Sequence, residues 1–113
     1  MRIVSLTVEP RRVSPAEAEV AVRVDLDGPA AGCEVRGRVV GPTCPGVTTV
    51  EVAYPLRATG TSDTAVSLRC VIPEPNLWTP AAPFRYAVRV EVWAGGARCD
   101  ARSETVELRA GPG

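Results

Sequence analysis

The sequence predicts an all-β antiparallel sandwich, and three features of the chain carry that prediction. Apolar residues recur with period two rather than 3.6: Val20, Val22, Val24 and Leu26 alternate with polar neighbours, as do Phe84, Tyr86, Val88, Val90 and Val92, the pattern of half-buried strands. Turn signals built from glycine and proline fall roughly every ten residues. No amphipathic helical stripe occurs. The expected architecture is an immunoglobulin-like antiparallel β-sandwich of about seven strands. At 113 residues the chain is long enough for a real core and too short for two domains. Residues 1–109 are expected to form one domain and residues 110–113 a flexible tail.

The first expected strand runs from Ile3 to Val8, with Val4, Leu6 and Val8 on one face, and Glu9-Pro10 ends it. Val13-Ser14-Pro15-Ala16-Glu17 carries the spacing of a helix capping box, but no amphipathic stripe follows and it is read as a turn. Glu19 to Leu26 is a strand with its valines inward and Arg23 and Asp25 outward. Asp27-Gly28-Pro29 is a turn; Asp25-Leu26-Asp27-Gly28 also matches the opening of a calcium loop, without the later ligands or the closing glutamate. Cys33 to Val40 is the third strand, with Cys33, Val35, Gly37 and Val39 on one face and Glu34, Arg36 and Arg38 on the other. Gly41-Pro42-Thr43-Cys44-Pro45-Gly46 breaks it. The β-branched run from Val47 to Tyr54 suits a fourth strand, followed by a polar loop over 58–63. Thr64 to Ile72, Phe84 to Trp93 and Cys99 to Leu108 complete the set, the last two joined at Ala94-Gly95-Gly96-Ala97 by a glycine hairpin.

Between the fifth and sixth strands lies the stretch on which the chain turns, Pro75-Asn76-Leu77-Trp78-Thr79-Pro80-Ala81-Ala82-Pro83-Phe84-Arg85-Tyr86. Its prolines fix φ and hold their predecessors extended, so it is a stiff crossover from one sheet to the other. Tyr86, just after it, occupies the place of a corner tyrosine bonded back to crossover backbone. Trp78 is expected to plug the end of the sandwich, with Pro80 and Pro83 shaping the corner.

Composition removes several function classes. Thirteen arginines and no lysines balance thirteen acidic residues, so nothing marks a nucleic-acid footprint. No apolar run approaches the ~20 residues of a membrane span. Histidine is absent, which removes the commonest general base and metal ligand together. The strand carboxylates Glu34, Glu51 and Glu91 alternate outward and Asp27, Asp63 and Glu74 sit in turns, so no paired-carboxylate cleft is built. Asp25 and Asp27, two apart at a strand end, are close enough in sequence to converge, but a solvated turn is the expected reading. No metal and no cofactor are expected.

The four cysteines, Cys33, Cys44, Cys70 and Cys99, contain no C-x-x-C pair, which argues against zinc. Two disulfides or four thiols remain. Strand polarity puts the starts of the third and seventh strands at one pole and the ends of the third and fifth at the other. Of the three connectivities, only Cys33–Cys99 with Cys44–Cys70 keeps each pair at one pole. Paired cysteines imply an extracytoplasmic protein, thiols a cytoplasmic one.

The run Val71-Ile72, Pro75-Asn76-Leu77-Trp78-Thr79-Pro80, Pro83, Tyr86, the strand Val88-Arg89-Val90-Glu91-Val92, then Gly95-Gly96, Asp100 and Val106-Glu107-Leu108-Arg109 resembles the immunoglobulin-like β-sandwich domain of glycoside hydrolase family 2. That family includes β-galactosidases, β-glucuronidases and β-mannosidases. Phe84 stands where the family usually has leucine, and Val106 to Arg109 keeps only the apolar residue and the arginine of the family's closing motif. The family's catalytic glutamates belong to a barrel that none of these residues matches. The resemblance therefore implies a non-catalytic accessory module whose partners are neighbouring domains of a multidomain glycosidase, met through one apolar or arginine-bearing sheet face. The alternative is a stand-alone carbohydrate-binding or adhesion module, with Trp93, outward by strand parity, as a platform for sugar stacking.

Overall fold

The computed structural model describes residues 1–110. Residues 111–113 of the expected tail lie outside the described residues. Eight strands follow in order: β1 Ile3–Arg11, β2 Glu17–Leu26, β3 Cys33–Thr43, β4 Val52–Pro55, β5 Arg57–Thr61, β6 Ala65–Pro73, β7 Arg85–Ala94 and β8 Ala97–Val106. They form two four-stranded sheets, β1-β2-β6-β5 and β4-β3-β7-β8, every pairing antiparallel. This is the immunoglobulin-like sandwich expected, with one strand more. No helix of the structure is long and apolar enough to cross a membrane.

The core follows from strand parity. Val20, Val22, Val24 and Leu26 of β2 and Leu68, Cys70 and Ile72 of β6 face Val39 of β3 and Tyr86, Val88, Val90 and Val92 of β7, all buried. Each such aliphatic side chain contributes roughly 1.5–3 kcal/mol of transfer free energy. The β1–β2 connection is the turn expected: Ser14 Oγ accepts from the amides of Ala16 and Glu17 at 3.2 and 3.3 Å, and the Ser14 amide donates to the Glu17 carbonyl at 2.9 Å.

Two expectations fail, each for a long-range reason. In β1 a register shift between Ile3 and Ser5 reverses the face, so Ile3 and Leu6 are buried while Val4 is 60% exposed. The Ile3 amide is taken by Asp100 Oδ2 of β8 at 2.9 Å, and the Ile3 carbonyl accepts from Arg102 Nη2 at 2.9 Å. Glu9-Pro10 does not end β1, because on an edge strand the missing proline N–H costs no ladder bond. The second failure is the fourth strand. Residues 47–51 lie outside any strand, only Val52–Pro55 pairs with β3, and the expected loop contains β5, which joins the other sheet. Leu56 makes the switch. It is 8% exposed, its amide donates to the Gly37 carbonyl at 2.9 Å, and a Cβ on Gly37 would stand 2.8 Å from Leu56 Cδ1. The glycine in β3 thus leaves the space through which Leu56 enters the core.

Candidate functional site

The crossover is built around Tyr86. Its ring is buried, with 1% exposure, and packs on Gly41, where a Cβ would come within 2.8 Å of Tyr86 Cδ2 and 3.0 Å of the Arg85 carbonyl. The Asn76 amide donates to the Tyr86 hydroxyl oxygen at 3.0 Å, the bond back to the crossover that its position predicted. Burial raises the Tyr86 pKa, against the Asn76 hydrogen bond, which lowers it. Thr79-Pro80-Ala81-Ala82 forms a tight turn with proline in its second position: the Thr79 amide donates to the Ala82 carbonyl, and the Ala82 amide to the Thr79 carbonyl and Oγ1, at 3.0–3.1 Å. Pro80 is exposed and Pro83 half-buried.

Trp78 is half-buried and lies outside the main core cluster; Leu77 is the crossover residue that packs against that cluster. The Trp78 amide donates to the Leu108 carbonyl at 2.8 Å, and the Arg109 guanidinium carbon sits 3.6 Å from the indole centroid. Its Nε1 is buried with no partner among the described residues. Trp78 thus clips the crossover to the residues after β8 rather than plugging the sandwich. Arg109 was invisible to sequence reasoning, because only the fold brings it to the ring.

Trp93 points outward as parity requires, but Arg36 lies over its ring at 4.4 Å and its Nε1 donates to Glu91 Oε1 at 3.3 Å. One stacking face is therefore already covered. Glu91 Oε2 accepts from Arg98 at 3.1 Å, and the Arg98 bond, then the Trp93 bond, hold the Glu91 pKa below the usual glutamate range.

Arg36, Glu91 and Arg98 border an open groove of about 750 Å³ on the outer face of the second sheet. Arg36, Arg38, Arg89, Arg98 and Arg102 line it with a single carboxylate, Glu91. Arg38 and Arg89 are direct cross-strand partners. Parity alone placed arginines on this face; their opposition depends on register.

The candidate acids do not converge. Asp25 accepts from Ser5 Oγ at 2.8 Å and from Arg23 at 3.1 Å, and these contacts, Ser5 first, lower its pKa. Asp27 instead accepts from the Arg2 amide at 2.9 Å. Among the described residues no three of the Cys, Asp and Glu side chains gather as a metal site would require.

All four cysteines are thiols in the structure, so neither expected bridge is formed. For Cys33 and Cys99 strand order gives the reason. Cys33 opens β3, Cys99 lies on β8, and β7 runs between them. Two strand spacings amount to about 9–10 Å, beyond disulfide reach. Polarity puts the two at one pole; it does not make them neighbours. Cys44 and Cys70 are buried, and desolvation pushes the Cys70 thiol up to about 11.

A sandwich of sheets β1-β2-β6-β5 and β4-β3-β7-β8 with a tyrosine corner defines an immunoglobulin-like module, and the comparisons specify which kind. The sequence profile of glycosyl hydrolases family 2 matches residues 1–109, and the chain belongs to that family. A glycosyl hydrolase family 2 member from Bacteroides cellulosilyticus DSM 14838 superposes with a TM-score of 0.63 at 16% identity, over 95% of this chain and 15% of that one. A calcium-binding mutant of Bacteroides uniformis beta-glucuronidase 2 gives 0.55 at 19% identity, over 91% of this chain and 13% of that one. The chain thus spans less than a sixth of either protein's length. No curated protein matches the sequence.

Proposed function

We propose that this chain is a non-catalytic β-sandwich module of a family 2 glycoside hydrolase, ordering neighbouring domains for carbohydrate hydrolysis. The observation that carries the reading is the shape of the match: nearly the whole sandwich aligns with 15% of a much longer hydrolase chain. The chemistry of the described residues supports it. Glycosidase catalysis uses two carboxyl groups about 5–10 Å apart across the scissile bond, whereas the groove has one, Glu91, with both oxygens engaged by Trp93 and Arg98. The isolated chain is expected to release no nitrophenol from aryl β-galactosides, β-glucuronides or β-mannosides. Turnover that co-purifies with the chain and disappears in Glu91→Gln, or in a variant of another of its own carboxylates, overturns the reading.

A further inference from the structure

The arginine groove carries a cost that the fold does not require. Like charges placed directly opposite across two strands destabilise the pair, and Arg38 and Arg89 are so placed. Neither forms an ion pair among the described residues. On the first sheet Arg57 and Arg69 are also direct partners, but there Glu19 reaches Arg69 at 3.5 Å. In the groove the one carboxylate, Glu91, is hydrogen-bonded to Arg98 and Trp93 and is felt by Arg38 only through its charge. Ala53, Ala101 and Ser103 line it with small side chains, so a visiting group can come down to the guanidinium heads. Beside it, Val52 precedes Ala53 at the free edge of the sheet, and Val47, Val50 and Val52 are exposed, Val50 at 84%.

We propose that this groove docks a carboxylate-bearing segment of a neighbouring protein domain, with Arg38 and Arg89 as its paired anchors; the proposal rests on the accessory-module reading. Guanidinium forks bind carboxylates bidentately and keep their charge. Exposed Val52, next to groove-lining Ala53, matches an apolar flank on a protein segment. A nucleic-acid backbone would meet Glu91 inside the groove and a chain with no net charge around it, the reverse of a polyphosphate site.

The test is a titration of the whole chain with hexaglutamate, read by calorimetry and tryptophan fluorescence at about 20 mM salt. Binding is expected, weakened at least about tenfold in the double variant Arg38→Gln, Arg89→Gln and again at about 300 mM salt, and unchanged in Arg57→Gln on the first sheet. No binding of hexaglutamate, or equal binding by the double variant, overturns the proposal. So does tighter binding of a heparin hexasaccharide or a short DNA duplex, which would make the groove a polyanion site. The double variant should melt no lower than the parent. A drop beyond about 5 °C would mean that the arginines hold the sheet together and would overturn their role as free anchors. Failure here leaves the aryl-glycoside result untouched, so the two readings fall separately.

Discussion

On the outer face of the first sheet Arg11, Arg23 and Arg69 each lie against a carboxylate, Glu9, Asp25 and Glu19, at 3.1–3.5 Å. On the second, Arg38 and Arg89 face one another across β3 and β7 with none. The inner faces hardly differ; both are rows of buried valine and related side chains. Exposed ion pairs contribute little to stability, so the difference adds little to folding. Among the described residues the first face pairs these three and leaves Arg57 without an ion pair; the second pairs Arg36 with Glu34 and Arg98 with Glu91. The second leaves Arg38 and Arg89 unpaired, and side chains of its sheet also hold the rest of the molecule: Tyr86 the crossover, Asp100 and Arg102 β1.

The largest effect expected from breaking this asymmetry is at the corner. Tyr86→Ala should cost about 3–5 kcal/mol, as for other buried aromatics, and Tyr86→Phe about 1–2 kcal/mol, because the Asn76 amide loses its acceptor. Urea unfolding measures both. A neutral Tyr86→Phe would show that the crossover hangs on Leu77 packing instead, and the second sheet would lose one of its polar anchors.

Asp100 sharpens the comparison through pH. The Ile3 amide first, then the Ala101 amide, lower its folded-state pKa. A depressed carboxylate pKa stabilises the fold above the unfolded value near about 3.9, and that contribution is lost as pH falls through the folded value. Asp100→Asn keeps an acceptor oxygen without the charge. Its urea midpoint should lie below that of the parent at neutral pH, and the gap should close as pH drops below about 4. A gap that stays constant would assign the effect to geometry rather than charge.

The smallest effect compares the faces directly. Arg69→Gln should lower the melting midpoint and Arg38→Gln should leave it unchanged or raise it, each by less than about 2 °C. Opposite signs at such small amplitude are the signature of one satisfied and one unsatisfied arginine. Equal losses would mean that both act through their aliphatic stems, and the distinction between the faces would vanish.

Period-two alternation is a local property, so the sequence by itself determined that β2, β3 and β7 are strands and which of their side chains point inward. It determined the turns at Ser14 and at Gly95-Gly96 as well, and the place of Tyr86 just past a proline-stiffened crossover. The tertiary structure decided whatever depends on which strand lies beside which. The β1 shift that turns Val4 outward has its freed Ile3 backbone groups met by Asp100 and Arg102, about a hundred residues away. The β-branched run before Tyr54 reads as a strand locally, yet only Val52–Pro55 finds a partner, and the chain changes sheet where Leu56 enters the space over Gly37. Cys33 and Cys99 share a pole but not a neighbouring strand, and Arg109 meets Trp78 only because the residues after β8 return to the crossover. Arg38 and Arg89 were legible as outward arginines. Their opposition was not, because register is set by the pairing of two strands about fifty residues apart and by the turns that join them.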